Sequence, residues 1–274
     1  MEPLKDIRTL IIDMDGVLWH GDLPLPGLIA FFQTLREKSI RFILATNNAS
    51  KTAEQYVAKL AKMGVTVSRD EILTSSQATT LYLAERAKPA ATRVFVIGED
   101  GLRQPLLERG FILTDLYEVK TADNPDAGAH YVVCGMDHDV SWDKLATATL
   151  NIRAGATFVG TNPDVTLPTE YGITHGNGAI LAAIQAATDI APIIIGKPEP
   201  IMYQQALKLL GVGPDETIAI GDRLGTDILG AVRANIRSLM VLTGVSCEAD
   251  FAATDYRPDW VMPDIRDITR ALRG

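Results

Sequence analysis

The chain has 274 residues, 47% of them hydrophobic, and its 26 basic and 34 acidic side chains give a net charge of −8. That length accommodates two ordinary domains, and that composition belongs to a chain that buries a core, which excludes a disordered protein. An acidic balance without a run of five like charges speaks against nucleic acid as the main partner, and two distant cysteines, Cys134 and Cys247, fit neither a disulfide framework nor a zinc site.

The first stretch, MEPLKDIRTL, lacks the apolar core and cleavage site of a secretory leader. Beyond it, short β-branched runs alternate with segments carrying apolar residues at helical spacing, the pattern of βαβ units around a parallel sheet. In chain order, strands are expected over 9–12, 42–45, 94–97, 131–134, 157–159, 193–195, 217–220 and 238–241. Helices are expected over 28–37, 53–63, 142–154, 180–187, 200–210 and 226–234. VFVIGEDG and IAIGDRLG share a strand-then-turn form, which suggests two related α/β domains. TSSQATT at 74–80 and the Gly/Thr/Pro-rich stretch at 161–178 read as loops or linkers, and if both are crossings the middle of the chain is an insertion. The most apolar window, 178–196, is interrupted by Gln185, Asp189 and Pro192, so no membrane span and a cytoplasmic protein are expected.

Asp13 and Asp15 follow the first strand, on the edge where open parallel sheets hold their ligands. Residues i and i+2 of an extended segment share a face, so both carboxyl groups can reach one site. Asp-x-Asp-Gly also forms plain turns and calcium loops, but the calcium loop needs a third acid and a distal Glu that DMDGVLWHGDLP does not supply in register. A second acidic pair, Asp222 and Asp227, stands in AIGDRLGTDILGA after another strand and around a helix start for which Thr226 is a candidate cap. Four acids at strand ends make a hard-cation site suited to Mg²⁺. Thr46, Asn47 and Asn48 follow a third strand in FILATNN, where hydroxyl, amide and N–H groups can cradle an anion, although the same residue types cap helices and Ser50 is an alternative cap. Lys197, held between Gly196 and Pro198 in IIIGKPEP, leaves an apolar strand toward the same edge and becomes a charge partner for the acids. A carboxylate nucleophile, a second carboxyl group, a metal site, donors and a cation are the set that phosphoryl transfer requires.

Taken in order, DMDGVL, ATNN, GKPEP and GDRLGTD resemble the four motifs of the haloacid dehalogenase superfamily. More narrowly, DMDGVLWHGDLPLPG, TNN, GKP, GDRLGTDILGA and LTGVS are similar to its p-nitrophenyl phosphatase and NagD-like subfamily, and the similarity covers nearly the whole chain. The resemblance implies an α/β fold with a Rossmann-like parallel-sheet core, 1–76 and 184–274, and an inserted α/β cap over 77–183 that chooses substrates. It implies that Asp13 attacks phosphorus to form an aspartyl-phosphate, and that Asp15 protonates the leaving oxygen and then activates water. By the same resemblance, Asp13, the backbone carbonyl of Asp15 and Asp222 hold Mg²⁺, with Asp227 supporting the site through water or by orienting Lys197. Thr46 and Asn47 bind the phosphoryl oxygens, and Lys197 offsets charge on nucleophile and phosphate.

Three positions stand apart in this comparison. TNPD at 161–164 matches a recurrent family loop, His175 in HGNGA replaces a common proline, and Gly225 stands where relatives often carry an acid. The expected reaction is Mg²⁺-dependent hydrolysis of a small phosphorylated metabolite such as a nucleotide or sugar phosphate, with homo-oligomerisation through the cap left open. Phosphotransfer to a second small molecule, as in phosphomutases, and weakly active binding of a phosphometabolite are the alternatives. Trp19 has no assigned role, being either core packing or a wall of the site.

Overall fold

The structure, a computed structural model, describes Leu4 and residues 7–169 and 171–274, so much of MEPLKDIRTL lies outside the described residues. By its internal contacts the chain divides into two compact units, one of Met1–Thr46, Ala53–Leu73 and Lys197–Gly274, the other of Asn47–Thr52 and Thr74–Gly196.

The first unit is built on a six-stranded sheet in the order Trp260–Met262, Arg237–Val241, Thr217–Gly221, Thr9–Ile12, Arg41–Thr46, Ile72–Thr74. Its first strand in sequence lies in the middle. The chain builds outward on one side through Arg41–Thr46 and Ile72–Thr74, and on the other through Thr217–Gly221 and its successors. The order therefore reverses between Thr9–Ile12 and Thr217–Gly221, which run parallel with Ile12 opposite Ile220. On its other flank Ile12 lies opposite Leu44. A reversal of this kind opens a crevice beyond the carboxyl ends of the strands, where ligands bind in sheets of this type. The apolar run TLII is buried at all four positions, as expected of a central parallel strand covered on both faces. Leu10, Ile12, Leu44, Ile220 and Leu239 join Phe31 and Leu35 of helix Leu28–Glu37 and Ile268 of helix Ile265–Arg273 in one core. The last helix escaped the expectations above; Asp264 caps it by accepting the Arg266 N–H at 2.7 Å.

The second unit has a five-stranded parallel sheet in the order Ile193–Ile194, Thr157–Gly160, Tyr131–Cys134, Arg93–Ile97, Ile112–Leu113. VFVIGEDG and IAIGDRLG each carry most of a parallel strand, Arg93–Ile97 and Thr217–Gly221, in two separate sheets. Helix Asn177–Thr188 contributes Ile180, Leu181 and Ile184 to a core with Phe95, Val132 and Phe158. Because Ile193 pairs with Val159, residues 184–196, expected in the first unit, extend the second. Sheet pairing sets that boundary, and pairing partners leave no local trace in the chain.

The division between the two units falls at the start of TSSQATT, between Leu73 and Thr74, but the stretch is not a loop. It begins helix Ser75–Ala84, where Thr74 accepts the Gln77 N–H at 3.2 Å and Gln77 accepts the Thr74 N–H at 2.9 Å, a reciprocal cap spelled T-x-x-Q in the sequence. Its polar side chains bury by bonding backward, as Thr79 Oγ1 does to the Ser75 carbonyl at 2.7 Å and Thr80 Oγ1 to the Ser76 carbonyl at 3.0 Å. The stretch 161–178 likewise contains an antiparallel hairpin, Thr166–Thr169 with Gly172–His175. Among the described residues no helix is long and apolar enough to cross a membrane.

Candidate active site

At the reversal point of the first sheet, one oxygen from each of Asp13, Asp222 and Asp227 lies within 4.8 Å of the others. The strands bring them there. Asp13 follows Ile12 directly and its amide donates to the Ile220 carbonyl at 2.8 Å, which sets it beside the end of the strand that delivers Asp222. Asp227 returns to the same place because residues Leu224–Ile228 form a wide π-helical turn, followed by the short α-helix Leu229–Arg233. Thr226 therefore sits inside that turn and is not its cap. The cap position belongs to Arg223, whose N–H donates to Asp227 Oδ2 at 3.1 Å, while the Tyr203 hydroxyl donates to the Asp227 carbonyl at 3.0 Å.

Lys197 is 3% exposed and joins two of the three acids. Its Nζ donates to Asp13 Oδ1 at 2.5 Å, to Asp227 Oδ1 at 2.6 Å and to the Ala45 carbonyl at 3.3 Å. Burial alone would release the proton from this amine, but the carboxylates of Asp13 and Asp227 outweigh it and hold the pKa of Lys197 well above its ordinary value. Burial is also the largest influence on Asp13 and raises its pKa. Lys197 pulls it down, Asp227 and Asp222 push it up, and it ends well above the ordinary carboxylate range. Asp222 is raised to about 6, first by burial and then by Asp227, against the N–H of Val245. Two buried carboxylates and one partly buried carboxylate thus face one ammonium group. An all-oxygen set with surplus negative charge fits a hard divalent cation.

The backbone crowds onto Asp222. The Val245 N–H donates to its Oδ2 at 2.7 Å, the Ser246 N–H to its carbonyl at 3.1 Å, and Ser246 Oγ accepts the Leu224 N–H at 3.0 Å. Thr243 Oγ1 donates to the Gly16 carbonyl at 2.6 Å and ties this loop to the first acidic motif. Gly16 has φ +84°, and a Cβ there would lie 2.6 Å from Asp222 Oδ2; one at Gly244 would lie 1.8 Å from it. Thr243, Val245 and Ser246 were missed as site residues by reasoning from charge and nucleophilicity, since they act through backbone and hydroxyl groups. The glycine in LTGVS was the available signal.

Asp15 stands apart from the carboxylate cluster. Its side chain is exposed, and Oδ1 accepts the indole N–H of Trp19 at 2.8 Å. Thr46 is buried at the end of strand Arg41–Thr46. Asn47 groups with the second unit, where its Nδ2 donates to Asp164 Oδ2 at 3.1 Å and Asn162 Nδ2 donates to the same oxygen at 2.7 Å. The TNPD loop is held from beneath by fully buried Asn177, whose Nδ2 donates to the Asn162 carbonyl at 2.8 Å. His175 is exposed on the hairpin strand Gly172–His175. Nothing lies within 4 Å of where a side chain at Gly225 would begin, so the absence of an acid there has no steric cause.

Residues 10–112 match the family model of haloacid dehalogenase-like hydrolases, and residues 194–268 match a second model of the same kind. The chain is 36% identical over 269 residues to an acid sugar phosphatase of Staphylococcus aureus, covering 98% of this chain and 99% of that one. A solved hypothetical protein of Pyrococcus horikoshii is 41% identical with a TM-score of 0.88, covering 97% of this chain and 100% of that one. The solved 4-nitrophenylphosphatase of Thermotoga maritima is 32% identical, also with a TM-score of 0.88, covering 97% and 98%.

Proposed function

Because this chain belongs to the haloacid dehalogenase-like hydrolases and is a phosphatase of that family, we propose that it hydrolyses small phosphate monoesters, sugar phosphates first among them, through an aspartyl-phosphate on Asp13 with Mg²⁺ as cofactor. The buried cluster of Asp13, Asp222 and Asp227 with Lys197 bonded to two of them carries the reading. The staphylococcal relative's name supports sugar phosphates as the substrate class.

In the first half-reaction Asp13 forms an O–P bond as the ester P–O bond breaks, and Asp15 gives its proton to the departing oxygen. In the second, water attacks phosphorus, Asp15 takes its proton, and the bond to Asp13 breaks to release phosphate. Lys197 aims the Asp13 carboxylate and lowers its pKa against the effect of burial, which favours the ionised form. Thr46 and the main chain of Asn47 take the phosphoryl oxygens. Asp13, Asp222 and the Asp15 carbonyl, with Asp227 behind them, would hold Mg²⁺, which supplies neutralising charge for the phosphoryl group. The second unit, an α/β insertion, is assigned the choice of substrate as a cap.

The test is phosphate release from a panel of phosphomonoesters with and without Mg²⁺, beside Asp13→Asn. Release is expected to need the metal and to vanish in the variant. Turnover that persists in either condition overturns the mechanism.

A further inference from the structure

Trp19 belongs to no acidic motif, yet among the described residues it is the largest fully buried side chain, at 0% exposure. A buried indole needs an acceptor for its N–H. Trp19 Nε1 finds one in a carboxylate, donating to Asp15 Oδ1 at 2.8 Å. The backbone ties the same two residues: they form an isolated β-bridge, and the Gly16 N–H donates to the Trp19 carbonyl at 2.8 Å. The ring itself is clamped. Tyr56 stacks on it with centroids 6.5 Å apart and planes 20° from parallel, and Lys59 Nζ lies 4.5 Å over it while donating to the Gly21 carbonyl at 2.6 Å. Asp15, by contrast, is exposed.

We propose that Trp19 is a positioning residue for Asp15: its N–H holds one carboxylate oxygen, keeps the side chain out of the metal-binding cluster, and leaves Oδ2 to meet the leaving-group oxygen. The proposal rests on the reading of Asp15 as acid and base. A free aspartate samples about three staggered χ1 wells. A hydrogen bond to one carboxyl oxygen favours one well, by up to about tenfold. A fully buried ring clamped by its neighbours can fix that choice, whereas an exposed loop residue could not.

The leaving group reads this role. An alkoxide departing from a sugar phosphate needs the proton of Asp15, and p-nitrophenolate hardly does. Because kcat/KM reports steps only as far as leaving-group departure, the later water step common to both esters does not mask the difference. Trp19→Phe keeps a ring in the core and removes the donor. It is expected to lower kcat/KM for a sugar phosphate about tenfold more than for p-nitrophenyl phosphate. In an Asp15→Asn background it is expected to add no further selective loss. Equal loss on both esters, or a selective loss that survives in Asp15→Asn, overturns the proposal.

Should Trp19→Phe fold poorly, site-specific replacement by the benzothienyl analogue, which keeps the bicyclic shape and lacks the N–H, gives the same readout. If Asp15→Asn itself fails to discriminate between the esters, the acid role of Asp15 falls. If it discriminates and neither Trp19 variant does, only the positioning role falls.

Discussion

Lys197 Nζ lies 2.5 Å from Asp13 Oδ1, with both side chains largely removed from solvent. The same ammonium also bonds Asp227 Oδ1 at 2.6 Å, so one cation orders two of the three acids. A surface pair of this kind contributes little, whereas removing one member of a buried pair strands the other in low dielectric. The site's charge balance follows from this single side chain, and so do several measurable consequences.

Lys197→Met is expected to abolish turnover and to destabilise the metal-free protein by about 3 kcal/mol or more, because Asp13 and Asp227 would lose their shared ammonium partner in a largely buried site. Chemical denaturation and a phosphate-release assay measure the two effects. Lowering the pH is expected to recover part of the stability as the acids take up protons. A variant as stable as the parent at neutral pH would show that the lysine is not needed to balance these acids.

Asp222 holds its proton in the folded protein up to about pH 6, against an ordinary value of 3.8. With the folded pKa raised, the stabilising contribution is complete below about pH 4 and is lost as pH rises through 6. Asp222→Asn removes this penalty. Without metal, the variant is expected to exceed the parent's stability by about 2 to 3 kcal/mol at pH 7.5 and to match it near pH 4. With saturating Mg²⁺ the order at pH 7.5 is expected to reverse, since the variant has lost a ligand. Denaturant titrations at the two pH values, with chelator or metal, decide between these outcomes.

Gly244→Ala places a Cβ about where Asp222 Oδ2 now lies, 1.8 Å away. The loop carrying Val245 and Ser246 must then withdraw from the acid it orients. A rise of about tenfold or more in the Mg²⁺ concentration giving half-maximal activity is expected, since groups that orient metal ligands typically have effects of that size. Gly225→Ala is the control, because nothing lies within 4 Å of its new methyl group. Equal metal affinities for the two variants would show that the crowding at Gly244 is immaterial.

Asp164→Ala deprives the amides of Asn47 and Asn162 of a shared acceptor. Losing an acceptor leaves donors unsatisfied at about 1–3 kcal/mol. If the main chain of Asn47 binds phosphoryl oxygens, KM should rise severalfold for every monoester tested. Steady-state kinetics on two unlike esters measures this, and an unchanged KM would detach the TNPD loop from substrate binding.

Much of this protein is legible in its sequence, because its strongest signals are local. The run TLII followed at once by Asp13, and AIG followed by Asp222, announce buried strands that end in acids, since apolar β-branched residues extend the chain and carboxylates are costly to bury without partners. Helices Leu28–Glu37 and Pro200–Leu210 have the bounds their apolar spacing indicates. Polar helices were hidden: Ser75–Ala84 has no apolar stripe to reveal it, and its T-x-x-Q cap was the better guide.

Spatial neighbours were decided only by the tertiary structure. Sheet order sets Asp13 beside the strand leading to Asp222, although more than two hundred residues separate them along the chain, and the wide turn at Leu224–Ile228 returns Asp227 to the same point. The limit of the second unit at Gly196 follows from Ile193 pairing with Val159. Trp19 shows the difference most clearly. Its burial is suggested by hydrophobicity alone, but a hydrogen bond to Asp15 depends on two side-chain directions across a tight turn. Residue types are local and set which chemistry is available; distances between side chains arise from packing, which sums contacts over the whole chain.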